Sequence, residues 1–297
     1  MKVDTSCNIL MSFAYLSSSS LCQYVAQAVQ DKKMNLMIDS GAFTKFNSKS
    51  GQHVTLDNYC SFLDVMGEYA EKYVMLDVIG NESASKRNYE TMIERGHAPM
   101  FVATMYDNDF AYIEDTLKIN PNICVAGGAT TKGDWMSKRF QDVYLNTGSK
   151  ARIHGLAYVT FPKCFQLPLA SMDSSTWQTG AQKYGVCWLW DDGMKTLHYQ
   201  DVCKKGKKIP SNFIREFNEL GITPKMYADL NNHRGMTQME TFCCIVAYVK
   251  FQKYAKKNGR DLFLAVGSKQ SLDNILWVHE NFNHLRYEDW VKFVKNG

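Results

Sequence analysis

What most constrains this chain is the recurrence of short, continuous apolar runs separated by stretches with helical spacing. The runs fall near residues 9–15, 36–38, 73–77, 99–104, 123–126, 152–157 and 169–172. Unbroken apolar runs belong to strands covered on both faces, as in a parallel sheet. The stretches between them are amphipathic. Residues 56–71 set Leu56, Tyr59, Cys60, Leu63 and Met66 at helical spacing. A helix over 83–95 would stop at Gly96, and one over 109–119 would stop before Asn120-Pro121. Repeated strand–helix units predict an α/β fold, a (β/α)8 TIM-like barrel, which typically takes about 250 residues. Functional side chains of such barrels gather at the C-terminal ends of strands. Asp39, Asp77, Gly127-Gly128, His154 and Asp173 all fall there.

After Trp177 the pattern changes. Residues 184–190 and 195–199 flank Asp191-Asp192-Gly193, which reads as a hairpin around an Asp-Gly turn. A long helix is expected over 236–257, stopped by Asn258-Gly259, with its Met, Phe and Tyr stripe in the core. A late strand over 262–266 and a final helix over 287–294 follow. The expectation is one barrel-type domain over 1–297, with about 178–260 as a reduced, basic helical and hairpin extension.

Composition narrows the function classes. With 45% hydrophobic and 22% charged residues the chain is globular. No apolar run approaches the ~20 residues of a membrane span, and the polar start Met1-Lys2-Val3-Asp4-Thr5 has no signal-peptide core. A membrane partner is therefore not expected. The nine cysteines are odd in number, scattered, and never spaced Cys-x-x-Cys. That pattern predicts reduced thiols in a cytosolic compartment and no structural metal. His279 and His284 are also spaced wrongly for ligands on one helix face. Charge is uneven: residues 1–150 carry 14 basic and 17 acidic residues, whereas 151–297 carry 20 and 13. The basic half, densest at Lys204, Lys205, Lys207 and Lys208, points to a polyanionic partner or to a solvated loop.

Two acidic phrases carry the chemistry. Met37-Ile38-Asp39-Ser40-Gly41-Ala42-Phe43 and Ser171-Met172-Asp173-Ser174-Ser175-Thr176-Trp177 each set an aspartate after an apolar run and before small residues. Taken alone, each Asp-Ser reads first as a helix or turn cap. Taken together, two strand-end carboxylates can divide glycosidic chemistry, one as nucleophile and one as acid/base.

Lined up in order, the phrases Asp39-Ser40-Gly41-Ala42-Phe43, Leu76-Asp77-Val78-Ile79-Gly80, Ala126-Gly127-Gly128, Ile153-His154-Gly155-Leu156 and Asp173-Ser174-Ser175-Thr176-Trp177 resemble the tRNA-guanine transglycosylase superfamily. The nearest likeness is to its phage and bacterial branch, which inserts 7-deazaguanines into DNA. It covers roughly residues 8–200, with a weaker echo in 234–257. The resemblance implies exchange of a guanine for another purine-like base without backbone cleavage. It implies Asp173 as nucleophile and Asp39 as general acid/base. Base-binding roles follow for Asp77 (the amidine edge), Phe43 (the base face), Gly127 and Gly128 (close backbone approach), Ser40 and His154. His154 stands where the tRNA enzymes usually carry an apolar residue.

Two departures shape the expected substrate. The zinc motif Cys-x-Cys-x-x-Cys is missing, so the extension should lack the zinc subdomain. The run at 100–104 lacks the glutamine with which the tRNA enzymes hold the incoming base. The implied partner is DNA, with tRNA as runner-up, and a 7-deazaguanine such as preQ0 or preQ1. The implied location is the cytoplasm, the host's if the chain is phage-encoded. No cofactor is expected.

The implied chemistry is a double displacement. Asp173 attacks C1′ while Asp39 protonates the leaving guanine, and the incoming base then reverses both steps. A duplex target must first leave the stack, at a few kcal/mol. Phe43 could recover part of this by stacking, and Trp177 reads equally as a second platform or a core aromatic. Lys204, Lys205, Lys207, Lys208 and Arg234 would meet phosphates. Asn231-Asn232-His233-Arg234-Gly235 reads first as a helix cap. A zinc-free tRNA enzyme and a non-catalytic nucleic-acid-binding barrel are the competing readings, with a nucleoside exchange enzyme behind them.

Overall fold

The computed structural model describes residues 7–16, 18–48, 53–104, 108–126, 135–229 and 233–296; the side chains of 184 and 233–236 also lie outside the description. Contacts divide the chain into two compact units. One is Met1–Ser174 with Gly259–Ser268, and the other is Ser175–Asn258 with Lys269–Gly297.

The first unit is built on eight strands: β1 (Cys7–Ser12), β2 (Met34–Asp39), β3 (Ala70–Tyr73), β4 (Phe101–Ala103), β5 (Asn122–Ala126), β6 (Arg152–Leu156), β7 (Leu169–Ser174) and, after the chain has passed through the second unit, β10 (Asp261–Val266). They pair in the order β3-β2-β1-β10-β7-β6-β5-β4, and every pairing is parallel. This is an α/β fold on a curled eight-stranded parallel sheet, consistent with a TIM-like barrel. One parallel bridge, Val74 to Met100, links the tail of β3 to the approach of β4. There Met100 N–H donates to Tyr73 O at 2.8 Å and Met75 N–H donates to Met100 O at 3.0 Å.

The strands form where the apolar runs lie because both faces are covered. All six residues of β1 are buried, as are residues 36–38 of β2, the three inner residues of β5 and residues 171–174 of β7. Helices between them start on side-chain caps. Ser18 accepts from Leu21 N–H ahead of the helix Ser19–Gln30, Thr55 from Asn58 N–H ahead of Leu56–Met66, and Asn81 from Ala84 N–H ahead of Glu82–Glu94. Tyr59, Cys60, Leu63 and Met66 are the buried stripe of the second of these, as their spacing predicts.

Two boundaries differ from the sequence reading. The helix expected over 56–71 ends at Met66, and after a short turn the polar segment Ala-Glu-Lys-Tyr forms β3. Of the strand expected over 73–77, Tyr73 closes β3, Val74 makes a single bridge and the residues beyond run on outside any strand. Val74, Met75 and Leu76 are buried, and Tyr59 Oη donates to Val74 O at 2.7 Å. Val74 N–H also donates to Ile38 O at 2.9 Å, so the run pairs at Val74 and Met75 while its burial continues to Leu76.

In the second unit, β8 (Val186–Trp190) and β9 (Met194–His198) form an antiparallel hairpin. Asp192 (φ 47°) and Gly193 (φ 132°) make its turn, and Asp191 N–H donates to Gly193 O. Trp190 stacks on Phe251 of the helix His233–Lys257, with centroids 4.7 Å apart at 15°. The expected Met, Phe and Tyr stripe of that helix is core: Met239, Phe242, Tyr248 and Phe251 are buried. Among the described residues no helix is long and apolar enough to cross a membrane.

Candidate functional site

Asp39 is the last residue of β2, and the turn after it is fixed by Gly41 at φ +82°. A Cβ at Gly41 would stand 2.9 Å from Ala14 Cβ and 3.1 Å from Ser12 Oγ, so only glycine fits. The turn brings Gly41 N–H to Asp39 Oδ2 at 3.0 Å and starts the helix Ala42–Asn47. Burial pushes the Asp39 carboxyl above the usual range. Ser12 and the Gly41 N–H ease it back, the Asp173 charge raises it again, and His154 lowers it. Ser12 pairs with Asp39 in register, yet its buried hydroxyl makes no hydrogen bond of normal geometry.

Asp173 lies next to the end of β7 and is 6% exposed. Its Oδ1 takes two donors: Ala157 N–H at 2.7 Å and His154 Nε2 at 3.2 Å. Ala157 delivers its N–H from a left-handed backbone, φ +53°, an uncommon conformation for a residue with a Cβ. His154 is fully buried in the middle of β6, and its Nδ1 meets Ser171 Oγ at 2.8 Å.

Asp77 lies beyond β3, half-buried, on a cleft of about 240 Å³ shared with Ala42, Lys45, Phe46, Val78 and Asn88. Burial, and after it the Asp39 charge, raise its carboxyl to about 6, while its own backbone N–H works the other way. The Asp173 charge thus acts on Asp39 and the Asp39 charge on Asp77, which links the three carboxyls in a chain through Asp39.

The remaining expected site residues fall as follows. Phe43 is 61% exposed on the helix Ala42–Asn47. Ser40 is buried, and its Oγ accepts from Ala42 N–H at 3.4 Å, which makes it part of the turn. His154 is not at a strand end as its place in the sequence implied, and both ring nitrogens are engaged within the protein. Gly127 and Gly128 follow β5 but lie outside the described residues. Trp177, the second candidate platform, is 1% exposed and is a core aromatic.

In the second unit, Lys205 and Lys207 both pair with Asp201, at 2.8 and 3.0 Å, and hold that carboxyl down at about 2. All four clustered lysines are exposed, and two of them, Lys205 and Lys207, are partly neutralised by Asp201. Arg234 lies in the first turn of the helix His233–Lys257, with its side chain outside the description. Asn231 and Asn232 lie outside it as well.

Residues that sequence reasoning did not single out complete the site: Ser12, Ala157, Ser171, Lys45, Phe46 and Asn88. Ser171 carried one usable signal, since it stands two before Asp173 and so shares its strand face. Ser12 and Ala157 reach the carboxylates through register and a backbone turn, which no local pattern announces. Among the described residues no three His, Cys, Asp or Glu side chains gather to hold a metal ion. No protein-family model matches the chain, and no curated protein matches it. Function is therefore read from the site itself.

Proposed function

We propose that the chain is a base-exchange glycosyltransferase that replaces guanine in DNA with a 7-deazaguanine through a covalent glycosyl-aspartate. One observation carries the reading. Asp39, a strand-end carboxyl that burial raises above the usual range, is electrostatically coupled to Asp173, whose Oδ1 is held by two donors while no described residue donates to Oδ2. An acid and a nucleophile placed together at the strand ends of a parallel α/β sheet are what a double displacement needs. The ordered phrases that resemble the transglycosylases support the same reading. So does the Val74–Met100 bridge, on which we take the sheet as a closed (β/α)8 barrel.

In the first step Asp173 Oδ2 attacks C1′ of the target nucleoside. The C1′–N9 electron pair passes to the leaving guanine, which takes the Asp39 proton. The incoming 7-deazaguanine then gives its N9 proton to Asp39, and N9 attacks C1′. The C1′–Oδ2 pair returns to Asp173, so two inversions give net retention. Asp77 is set to accept the N–H groups of the base's amidine edge. Its cleft of about 240 Å³, smaller than the ~300–1,000 Å³ of drug-sized sites, is lined by Ala42, Lys45 and Phe46 from the helix after Asp39 but by neither Asp39 nor Asp173. The exposed Phe43 is placed to stack on a base taken out of a helix. Of the four exposed lysines, Lys204 and Lys208 are the ones Asp201 does not hold, which suits them to phosphate contacts.

The test is incorporation of labelled guanine, with DNA and unmodified tRNA offered side by side. Incorporation into DNA, lost in Asp173→Ala, is the expected result. Incorporation into tRNA alone would transfer the activity to RNA, and incorporation into neither would remove the proposal.

A further inference from the structure

His154 is wholly enclosed, so it cannot touch a substrate. It packs edge-on to Phe263, with centroids 6.2 Å apart. Its polar contacts among the described residues are Ser171 Oγ on one nitrogen and Asp173 Oδ1 on the other. We propose that His154, held by Ser171, is a positioning residue for Asp173: it fixes the carboxylate through Oδ1 and leaves Oδ2 as the attacking oxygen. This rests on the glycosyl-transfer reading above and adds to it a role in the return step.

Strand register builds the arrangement. His154 of β6 pairs with Ser171 of β7, and Ser171 and Asp173 share one face of β7. The imidazole is thus flanked by a hydroxyl at its own level and a carboxylate one step nearer the strand ends. A carboxylate only accepts, so the proton on this side belongs to Nε2. Ser171 Oγ then donates to Nδ1 and holds the ring in that tautomer. Ala157 N–H adds a second donor to the same oxygen.

Placing both donors on Oδ1 has a chemical consequence. In the glycosyl-aspartate, Oδ2 carries C1′ and Oδ1 is the ester carbonyl oxygen. When the C1′–Oδ2 bond breaks, its electron pair returns to the carboxylate and half of the charge appears on Oδ1. His154 Nε2–H and Ala157 N–H stand there to receive it, as donors preorganised for a developing anion do. Loss of His154 should therefore slow departure of Asp173 more than its attack. The adduct should accumulate, which a merely structural role would not produce.

The experiment measures guanine exchange into DNA and the steady-state fraction of enzyme carrying a covalent adduct. Wild type is compared with His154→Leu, His154→Gln and Ser171→Ala, with Asp173→Ala as the control for the underlying reaction. His154→Leu should lower kcat about 10- to 100-fold, the loss of one hydrogen bond to a charged group. KM for DNA should fall with it, and the adduct fraction should rise. Glutamine can place an N–H near the Nε2 position and should restore most of the rate. Ser171→Ala should fall between. In the resting protein, imidazole 15N spectra should show the His154 proton on Nε2, with mixed tautomers in Ser171→Ala. Wild-type rate and adduct fraction in folded His154→Leu would overturn the proposal. So would a His154→Gln as slow as the leucine variant, or a resting proton on Nδ1 alone. Exchange that survives Asp173→Ala would instead overturn the glycosyl-aspartate reading, whatever the histidine variants do.

Discussion

Replacing Asp77 by asparagine should make the protein more stable at neutral pH and leave it nearly unchanged in acid. The Asp77 carboxyl is raised from 3.8 to about 6, mainly by burial and then by the Asp39 charge. In the folded protein it therefore holds its proton through a range where the unfolded chain has released it. Folded Asp77 binds more protons between pH 3.8 and about 6, so stability falls as pH rises through that window and is level above it. A shift of about two units corresponds to about 3 kcal/mol. Because Asp77 is half-buried at a cleft mouth, solvent screening brings the expectation to about 1–3 kcal/mol. An asparagine side chain at this position has nearly the same shape and does not ionise, so it carries no such penalty. Urea midpoints at pH 4 and pH 8 give the comparison, with the variant ahead at pH 8 and the two nearly level at pH 4. In an Asp39→Asn background the window should move to lower pH, since the charge that adds to burial in raising Asp77 is gone. A difference between the proteins that stays constant from pH 4 to pH 8 would refute the reasoning, as would no movement of the window in the double variant.

Other consequences can be checked separately. Asp39→Asn should cut exchange by about 10²–10⁴, the usual contribution of a general acid, as read by turnover with labelled base. Gly41→Ala should destabilise by about 1–3 kcal/mol in thermal unfolding, because alanine must adopt φ +82° with its Cβ 2.9 Å from Ala14 Cβ. Affinity for free 7-deazaguanine, measured by calorimetry, should rise with pH through about 6, because only ionised Asp77 accepts every N–H of the amidine edge. Replacing Lys204 and Lys208 together should flatten the salt dependence of DNA binding by about two phosphate contacts. Replacing Lys205 and Lys207 should do less, since Asp201 already holds them.

The sheet was legible where burial on both faces writes a continuous apolar run. β1, β2, β5, β6 and β7 all lie within one or two residues of such runs except where β1 stops short at Ser12. β3 was displaced because its strand is polar, with Lys72 buried beneath the Phe263 ring, while the apolar residues that follow it are buried and pair only through the single bridge at Val74 and its flanking bonds. The helix Ser211–Glu219 escaped notice although Phe213 and Phe217 form its buried face, because two aromatics in nine residues make a short signal. At the site, Asp39, Asp77 and Asp173 were visible as acids after apolar runs. Their mutual influence was not, because it depends on strands far apart in sequence. His154 was visible as a residue but not in its role. Its partner Ser171 is supplied by register between β6 and β7, and a shift of one residue would have turned either side chain to the opposite face.

The most direct measurement is to quench the protein under denaturing conditions after incubation with a guanine-containing oligodeoxynucleotide, then map the modified peptide by mass spectrometry. The account predicts a polynucleotide that has lost one guanine, linked through an ester to Asp173, absent in Asp173→Ala and discharged by added 7-deazaguanine. Guanine exchange without any adduct on Asp173, or an adduct on a different residue, would contradict it.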